Sequence, residues 1–238
     1  MNSLSFASFN THFGRTRRGQ PYDIADVCKR LDVDVIALQE VFTPTDGMSE
    51  AADAARSGGY EVHELRLAPA QVTTRVKIAR SREAPETEGM WGLALLVRVP
   101  ARRLPDIRLG QAVADPAPRA ALVIEATVGD QPVVVATAHA SHRPYGSLMQ
   151  LRRLEQALST GVDSPAVLAG DMNMWGPIVS GCFPDWRRAV LGPTWPAHRP
   201  HSQIDHILVR GPIELVGGRV CDEEGSDHRP IRVDLRIH

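Results

Sequence analysis

In the stretch VLAGDMNMWG, residues 167–176, an apolar run leads directly into an acid, Asp171, and an amide, Asn173. A short apolar run bounded by turn residues is typical of a strand that is buried on both faces. We therefore predict a buried strand over Ala166–Ala169 with both polar residues at its end. Side chains alternate along an extended chain, so Asp171 and Asn173 should lie on the same side.

The same arrangement recurs along the chain. The alternating segment Ser3–Asn10 ends in SFN, the apolar run Val33–Leu38 leads into Gln39-Glu40 as the end of a strand, and VVVATAH ends at His139. Taken singly, each polar residue has an ordinary explanation as a turn, a helix cap or a hydrogen-bonded packing residue. The repetition indicates side chains that converge on one sheet edge. The full set is Asn10, Glu40, His139, Asp171, Asn173, Asp205, Asp227 and His228.

The remaining patterns predict many strands and few helices. Gly129-Asp130 is a hairpin signal, so the strands on either side of it, together with Trp91–Val99, are expected to be antiparallel neighbours. Ala68–Glu88 has no clear period, and we expect a long loop there. The predicted helices are Ile24–Leu31, Glu50–Ser57 and Leu148–Leu158; the further predicted strands are Tyr60–Leu67, Trp91–Val99, Ala120–Val128, Pro132–Thr137, Ile204–Arg210, Leu215–Val220 and Ile231–Ile237.

These elements indicate one domain over residues 1–238, because no repeat and no Pro/Gly/Ser-rich linker divides the chain. The first two predicted strands flank a helix, which is a β-α-β opening. Hairpins follow later in the chain. This mixture favours a sandwich of two sheets with helices outside.

Composition and charge narrow the class of protein. The chain is 43% hydrophobic and 23% charged, as globular proteins are, so disordered and fibrous classes are excluded. A net charge of −1 provides no basic field for nucleic acid. Cys28, Cys182 and Cys221 form no CxxC pair, so neither a disulfide framework nor a zinc ribbon is expected. We see no secretory signal and no membrane-spanning run, and we expect a cytoplasmic monomer.

The ordered motifs LQE, GDMN, IDHI and SDHRP resemble those of the endonuclease/exonuclease/phosphatase superfamily, which shares the deoxyribonuclease I fold. One such motif alone is weakly specific, but the ordered set is strong. The resemblance covers nearly the whole chain, from SFNTHFG to SDHRPI. It implies an α/β (α+β) fold, a four-layer sandwich of two mixed, mostly antiparallel β-sheets flanked by helices. It also implies hydrolysis of phosphoric ester bonds.

The resemblance implies a divalent cation. Glu40 matches its first ligand, and Asn10 and Asp227 match further metal-side residues that act directly or through water. Mg²⁺ is expected, with Mn²⁺ as a substitute, because magnesium takes oxygen ligands and keeps several waters. A phosphodiester repels anionic nucleophiles, and a cation neutralises the charge that develops on it.

The resemblance also assigns the groups that handle water and phosphate. Asp171 matches an aspartate that orients or deprotonates the attacking water, and Asn173 would hold this water or a phosphate oxygen. His228 matches a histidine that contacts the scissile phosphate or acts as the base; which of Asp171 and His228 is the base stays open. Asp205, expected on a strand beside that of His228, would fix its tautomer. His139 should donate to a phosphate oxygen.

Polar residues beside the motifs are candidates for substrate contacts, and a packing or surface role is an equal alternative for His12, His206 and Arg229. Relatives often carry leucine where Ala140 follows His139, so His142 is an alternative to His139. Two loops, 11–20 and 68–88, carry basic residues that would meet phosphates or solvent. Trp175 is interpreted as a packing residue. The candidates are His12, Arg15, His142, His206 and Arg229 near the motifs, and Arg17, Arg18, Arg75, Lys77, Arg80 and Arg82 in the loops.

We therefore expect a magnesium-dependent phosphoesterase that hydrolyses a phosphodiester or phosphomonoester bond of a small phosphorylated substrate by metal-assisted attack of water. An endo- or exonuclease acting on DNA or RNA is the alternative. The absence of a basic field and of an array of aromatic residues disfavours it. A non-catalytic binding module with the same fold is a third interpretation, which the complete set of metal and acid–base residues disfavours.

Overall fold

The computed structural model describes residues 2–73, 86–115, 117–160 and 164–238. Its helices are α1 Ile24–Leu31, α2 Glu50–Gly58, α3 Pro144–Ser159 and α4 Gly176–Cys182, with a 3₁₀ turn at His12–Gly14. Its strands are β1 Ser3–Asn10, β2 Val35–Pro44, β3 Glu61–Thr73, β4 Glu86–Val97, β5 Ala101–Arg103, β6 Ile107–Gly110, β7 Arg119–Val128, β8 Gln131–His139, β9 Ala166–Asp171, β10 Arg187–Arg188, β11 Asp205–Arg210, β12 Ile213–Val220 and β13 Ile231–Ile237.

The strands form two mixed sheets. The six-stranded sheet has the order β12-β13-β1-β2-β4-β3, and the seven-stranded path is β10-β11-β9-β8-β7-β5, with β6 also on β7. One strand pair in each sheet, β1–β2 and β8–β9, is parallel, and every other described pair is antiparallel. The predicted β-α-β opening is confirmed, because α1 connects the parallel strands β1 and β2.

The layers follow from which strand faces are apolar. Phe6, Val35 and Leu95 of the six-stranded sheet pack against Leu122 and Val135 of the seven-stranded sheet, and all are buried. Apolar residues of α1 and α2 cover the outer face of the first sheet, and those of α3 and α4 cover the outer face of the second. The predicted four-layer sandwich is confirmed. No helix of the described residues is long and apolar enough to span a membrane.

Local signals explain where α2 begins and ends. The Ser49 hydroxyl accepts a hydrogen bond of 2.9 Å from the Ala52 amide, which satisfies one of the free donors of the first turn. Gly59 ends the helix at a φ of 70°, a left-handed conformation that glycine adopts without strain. The predicted helix with a glycine stop is confirmed.

The loop predicted for Ala68–Glu88 is wrong at both ends. β3 continues to Thr73 and β4 begins at Glu86, with Ala68 opposite Trp91. Strand pairing depends on backbone hydrogen bonds, so an edge hairpin tolerates side chains without an apolar period. Residues 74–85, which include the basic residues of that loop, lie outside the described residues.

Sheet membership was also predicted incorrectly in one place. The strands around Gly129-Asp130, β7 and β8, are antiparallel neighbours as predicted. However, β4 pairs with β2 and β3 in the other sheet. Turn residues specify local pairing only, whereas tertiary packing decides which sheet a strand joins. The short elements β5, β6, β10 and α4 were not predicted.

Candidate active site

The parallel pair β1–β2 brings Asn10 beside Glu40. The Asn10 Nδ2 donates to Asp171 Oδ2 at 3.0 Å and to Glu40 Oε1 at 3.4 Å. Its Oδ1 accepts from the backbone amide of His12 at 3.0 Å. Asn10 is 1% exposed, so its amide is a fixed bridge between two carboxylates.

Glu40 lies inside β2 rather than at its end, which corrects the expectation for this strand. Gln39 pairs with Leu93 and Val41 with Gly92, so Glu40 is the extra residue of a β-bulge. Its φ is 54°, a left-handed value that is unusual for a glutamate. Bulges of this kind turn a side chain away from the regular alternation and are common beside active sites.

Three strands of the seven-stranded sheet place His139, Asp171 and Asp205 in one row, since Asp171 is the register partner of the other two. The His139 Nε2 lies 3.5 Å from Asp171 Oδ2 and 3.8 Å from Glu40 Oε1. Burial lowers the pKa of His139 to about 4, despite the nearby Asp171 carboxylate. Its ring is therefore neutral at physiological pH.

The segment after Asp171 is not extended, contrary to expectation. Asn173 has a φ of 48°, and its backbone amide donates to Asp171 Oδ1 at 2.9 Å. Its Nδ2 donates to the Ala140 carbonyl at 3.0 Å. A turn closed by an aspartate side chain is a common alternative to continued extension, and asparagine tolerates the left-handed region.

Asp205 and His228 form a buried hydrogen-bonded pair. The His228 Nδ1 lies 3.1 Å from Asp205 Oδ1 and 3.0 Å from Oδ2, and Thr194 Oγ1 donates to Oδ2 at 2.5 Å. Burial alone would lower the pKa of His228, but the Asp205 and Asp171 carboxylates outweigh it and raise the pKa to about 10.

The two partners do not come from neighbouring strands, which corrects that expectation. Asp205 begins β11 of the seven-stranded sheet, whereas His228 precedes β13 of the other. They meet at the edge where both sheets end. Ser226 fixes this loop, because its hydroxyl donates to the Asn10 carbonyl at 2.7 Å and accepts from the His228 amide at 3.1 Å.

The two carboxylate oxygens of Asp227 differ in their hydrogen bonding. Its Oδ2 accepts from Trp195 Nε1 at 3.3 Å. Its Oδ1 is buried without a hydrogen-bond partner among the described residues. That oxygen lies 3.7 Å from His12 Nδ1 and 3.9 Å from His228 Nε2.

A cavity of about 420 Å³ opens beside these groups. Sequence reasoning did not single out Arg119, Trp195, Ser202 or Ile204, which share its wall. Trp175 also lines it and is 64% exposed, so its interpretation as a packing residue is wrong. The lining residues are Glu40, Arg119, His139, His142, Asp171, Asn173, Trp175, Trp195, Ser202, Ile204 and His228.

Arg119 places a guanidinium on this wall. Its Nε and Nη2 donate to Asp115 at 3.2 and 3.0 Å, and its guanidinium lies 4.8 Å from the Trp91 ring centroid. Its Nη1 is buried and has no partner among the described residues. The signal was an arginine inside the apolar stretch PRAALV, although only the fold shows what it faces.

The other candidate substrate contacts are placed differently from one another. His142 is exposed on the cavity wall, and His12 lies beside Asp227. Arg15 donates to the Gly14 carbonyl and Arg229 to that of Ala197, and neither lines the cavity. His206 does not fit a substrate contact, because it is fully buried and its Nε2 donates to the Met174 carbonyl at 2.9 Å. Arg17 and Arg18 are exposed.

The charges of the site fit a divalent cation. Glu40, Asp171 and Asp227 have imidazoles as ion-pair partners, and within the described residues no lysine or arginine pairs with them. Burial raises the pKa of Glu40 and of Asp171, and nearby carboxylates add to it, Asp171 for Glu40 and Asp205 for Asp171. Buried carboxylates and one unpartnered oxygen suit a hard cation with oxygen ligands.

A second cluster also offers ligand atoms. Atoms of Asp171, Asp205 and His228 lie within 4.8 Å of one another. However, both Asp205 oxygens already contact His228 Nδ1, and one of them also accepts from Thr194. The unpartnered oxygen of Asp227 makes the side of Glu40 and Asp227 the better fit.

Comparisons with solved structures show the same fold. An endonuclease/exonuclease/phosphatase from Beutenbergia cavernae matches with a TM-score of 0.74 and 22% identity over 99% of this chain and 72% of its own. Humanized D. rerio TDP2 matches with a TM-score of 0.70 and 18% identity over 99% and 100%. A mannosyl-6-phosphatase from Bacteroides thetaiotaomicron matches with a TM-score of 0.69 and 16% identity over 98% and 99%.

Sequence comparison assigns the family. No curated protein matches the chain. The family model described as Endonuclease/Exonuclease/phosphatase family matches residues 7–228, which is nearly the whole chain. The matched segment holds every motif residue from Asn10 to His228, and the two-sheet sandwich agrees with it. The chain therefore belongs to the endonuclease/exonuclease/phosphatase family.

Proposed function

We propose that the protein is a magnesium-dependent phosphoesterase that hydrolyses a phosphomonoester or phosphodiester bond of a small substrate. The family supports hydrolysis of phosphoester bonds in general. The observation that carries the proposal is the Asp227 Oδ1, a buried oxygen without a hydrogen-bond partner among the described residues, in a site where no described lysine or arginine pairs with the Glu40 and Asp171 carboxylates. Removing such groups from water is costly unless a cation compensates.

Glu40 and Asp227 would hold the ion, and Asn10 would position Glu40. When bound, Mg²⁺ neutralises charge on a nonbridging phosphate oxygen and on the leaving group. Asn10 is a positioning residue because its amide nitrogen, not its oxygen, faces the carboxylates at 3.0 and 3.4 Å. Mn²⁺ should substitute, since it also takes oxygen ligands.

The protonation states of the other side chains suggest the role of each in the proposed reaction. Asp171 has a pKa that burial raises, which suits a group that takes the proton of the attacking water. His228, with a pKa of about 10, stays charged at neutral pH and donates from Nε2 to the phosphate. Neutral His139 and the free Nη1 of Arg119 donate to other phosphate oxygens. Asn173 holds the water or a phosphate oxygen.

A nuclease is the second candidate, and one observation favours it. Trp175 and Trp195, at 64% and 36% exposure, border the cavity and could stack on bases. The net charge of −1 argues against tight binding of a long polyanion, so the small substrate is preferred.

Three further expectations stay predictions. These are a single catalytic domain, a cytoplasmic location and a monomeric state. The substrate is expected to carry phosphate, and no membrane partner is proposed.

Replacing Glu40 with Gln tests the proposed function. This change keeps the size but removes the charge, so turnover with Mg²⁺ should fall roughly 100-fold and the magnesium titration should shift to higher concentration. The measurement is phosphate release from model mono- and diesters across a magnesium titration. Exposed Glu223→Gln is the control and should match wild type. Undiminished turnover in a chelator, or an unchanged titration in Glu40→Gln, contradicts the proposal.

A further inference from the structure

A second cavity of about 470 Å³ adjoins the site. It shares Trp175 and Ser202 with the cavity of about 420 Å³ beside Glu40, called the catalytic cavity below. The two cavities are therefore parts of one continuous depression. Among the described residues, its lining contains Arg188, His201 and Gln203 but no acidic residue. The catalytic cavity, in contrast, carries Glu40 and Asp171.

Arg188 is held firmly in this second cavity. Its Nη2 donates to Gln203 Oε1, and Gln203 Nε2 donates to the Val190 carbonyl at 2.8 Å. The same Oε1 accepts from the Gly192 amide at 3.2 Å. Arg188 is therefore kept in one position by a side chain that is itself anchored to the backbone.

Gly176 makes room for this arginine. A Cβ built at Gly176 would lie 2.1 Å from Arg188 Nη1 and 2.4 Å from Nη2, which is closer than real atoms approach. Any other residue at position 176 would displace the guanidinium. The position of Arg188 thus depends on a glycine directly after Trp175.

The charge of Arg188 has no carboxylate counterpart within the described part of the chain. Burial is the cause that lowers its pKa, and no acidic group opposes that effect. Its Nε is buried and lacks a hydrogen-bond partner there. A guanidinium remains charged under these conditions, and a phosphate in the cavity would neutralise that charge through charge-assisted N–H hydrogen bonds.

We propose that the cavity of Arg188 is a binding site for a second phosphate of the substrate. The scissile phosphate would lie beside Glu40 and Asp171, and the part of the molecule between the two phosphates would rest on Trp175. The substrate class is accordingly a small bisphosphorylated molecule rather than a monophosphate. This inference rests on the proposed function and narrows its substrate.

Matched pairs of probes test it. Fructose 6-phosphate is compared with fructose 1,6-bisphosphate, and adenosine 5′-monophosphate with adenosine 3′,5′-bisphosphate, by phosphate release at saturating Mg²⁺. Wild type should show a lower KM for the bisphosphate of at least one pair, by about tenfold, as expected for one charge-assisted contact. Calorimetric binding of the same probes in a chelator measures the preference without turnover.

Variants of Arg188 assign the preference to this site. Arg188→Met should raise KM for the preferred bisphosphate about tenfold and leave kcat and KM for its monophosphate unchanged. Arg188→Lys should restore part of the preference, and Gly176→Ala should lose it because the guanidinium is displaced. The control is Arg199→Met, an exposed arginine that lines neither cavity.

Each outcome decides one question. Equal KM values for both members of both pairs in wild type, or equal losses for mono- and bisphosphate in Arg188→Met, overturn the second phosphate site. Binding that prefers the bisphosphate and depends on Arg188, without hydrolysis of any probe, supports the site and rejects the proposed function. Hydrolysis that Glu40→Gln abolishes, without a preference, supports the function and rejects the site.

Discussion

The charge of His228 is set by its acidic neighbours. Its ring is buried, which favours the neutral form, yet Asp205 binds Nδ1 at 3.0 Å and Asp171 lies 3.8 Å from Nε2. These contacts raise the pKa to about 10, so they outweigh burial. Buried His139, which has no such hydrogen-bonded carboxylate among the described residues, has a pKa of about 4. The difference between the pKa values of His228 and His139 comes more from Asp205 than from burial.

Replacing Asp205 with Asn should therefore lower the pKa of His228 by about 2 units or more. Turnover should fall roughly 100-fold, and the double variant with His228→Ala should lose less than the product of the single losses, since the pair acts as a unit. The pH dependence of kcat/KM for wild type, both single variants and the double variant measures this at saturating magnesium. Exposed Asp222→Asn serves as the control. The hydrogen-bonded pair is rejected if the two single losses in kcat/KM multiply in the double variant. It is also rejected if the pKa on the basic side of the pH profile does not move in Asp205→Asn.

The residues of the site differ in how far sequence predicted them. Asn10, Glu40, His139 and Asp171 were identified because each follows a predicted strand, and the structure brings them together. Their roles stay predictions. Arg119 and Trp195 were missed because their approach depends on loops and on the opposite sheet. His206 has the same local pattern as Asp205, and only the alternation of β11 places it in the core.

Among the elements, α2 carries a half-buried acid outside the catalytic set. Glu50 begins this helix, and its Oε2 accepts from the Phe42 amide at 3.3 Å. Burial raises its pKa to about 7. Since the folded-state pKa lies above the unfolded value, the stability that the neutral acid contributes is complete below about pH 4.5 and is lost as pH rises through 7.

Glu50→Gln should remove this dependence. The variant should be more stable than wild type at pH 8 by about 1–3 kcal/mol, because glutamine needs no ionisation, and nearly equal to it at pH 4.5. Urea unfolding at both pH values measures the difference. The exposed Glu223→Gln should change neither value. A stability gain that is the same at both pH values would show that ionisation of Glu50 is not its cause.

Elements whose ends carry a capping or turn residue were predicted well, and elements without such a residue were not. α2 has a serine cap and a glycine stop, and β7–β8 has a Gly-Asp turn. The bulge at Glu40 has no such signal, because LQEV reads as continued alternation. The bulge arises from pairing with β4. Gln39 and Val41 pair with the consecutive residues Leu93 and Gly92, which leaves Glu40 without a partner. Long-range pairing of this kind is not encoded in a short window.

For the whole molecule, the net charge of −1 predicts weak binding to long polyanions. Duplex DNA bound through many phosphates shows a slope of log affinity against log salt of roughly −0.9 per contact. We expect weak binding and a shallow slope in a fluorescence anisotropy titration with a DNA duplex. An unrelated basic DNA-binding protein is the positive control. Tight binding with a steep slope, together with efficient cleavage, would favour the nuclease instead.

The architecture was predictable at this scale because the order of motifs is tied to one arrangement of two sheets. The assignment of β4 to the wrong sheet shows the limit, since its apolar content suits either sheet. In the seven-stranded sheet, Asp171 lies in a row with His139 and Asp205. Asn10 of the other sheet donates a hydrogen bond to Asp171, so motifs far apart in sequence meet at one site. Each sheet supplies part of the site, and the loop before β13 supplies the rest.

The hydrogen bond from Ser226 to the Asn10 carbonyl joins positions 216 residues apart, and β13 lies directly beside β1. Contacts of such sequence separation form late, because the entropy of closing the intervening chain must be overcome first. Catalytic competence should therefore arise only at the end of folding. A partly folded polypeptide would then hold most of the site residues without the loop that places Asp227 and His228.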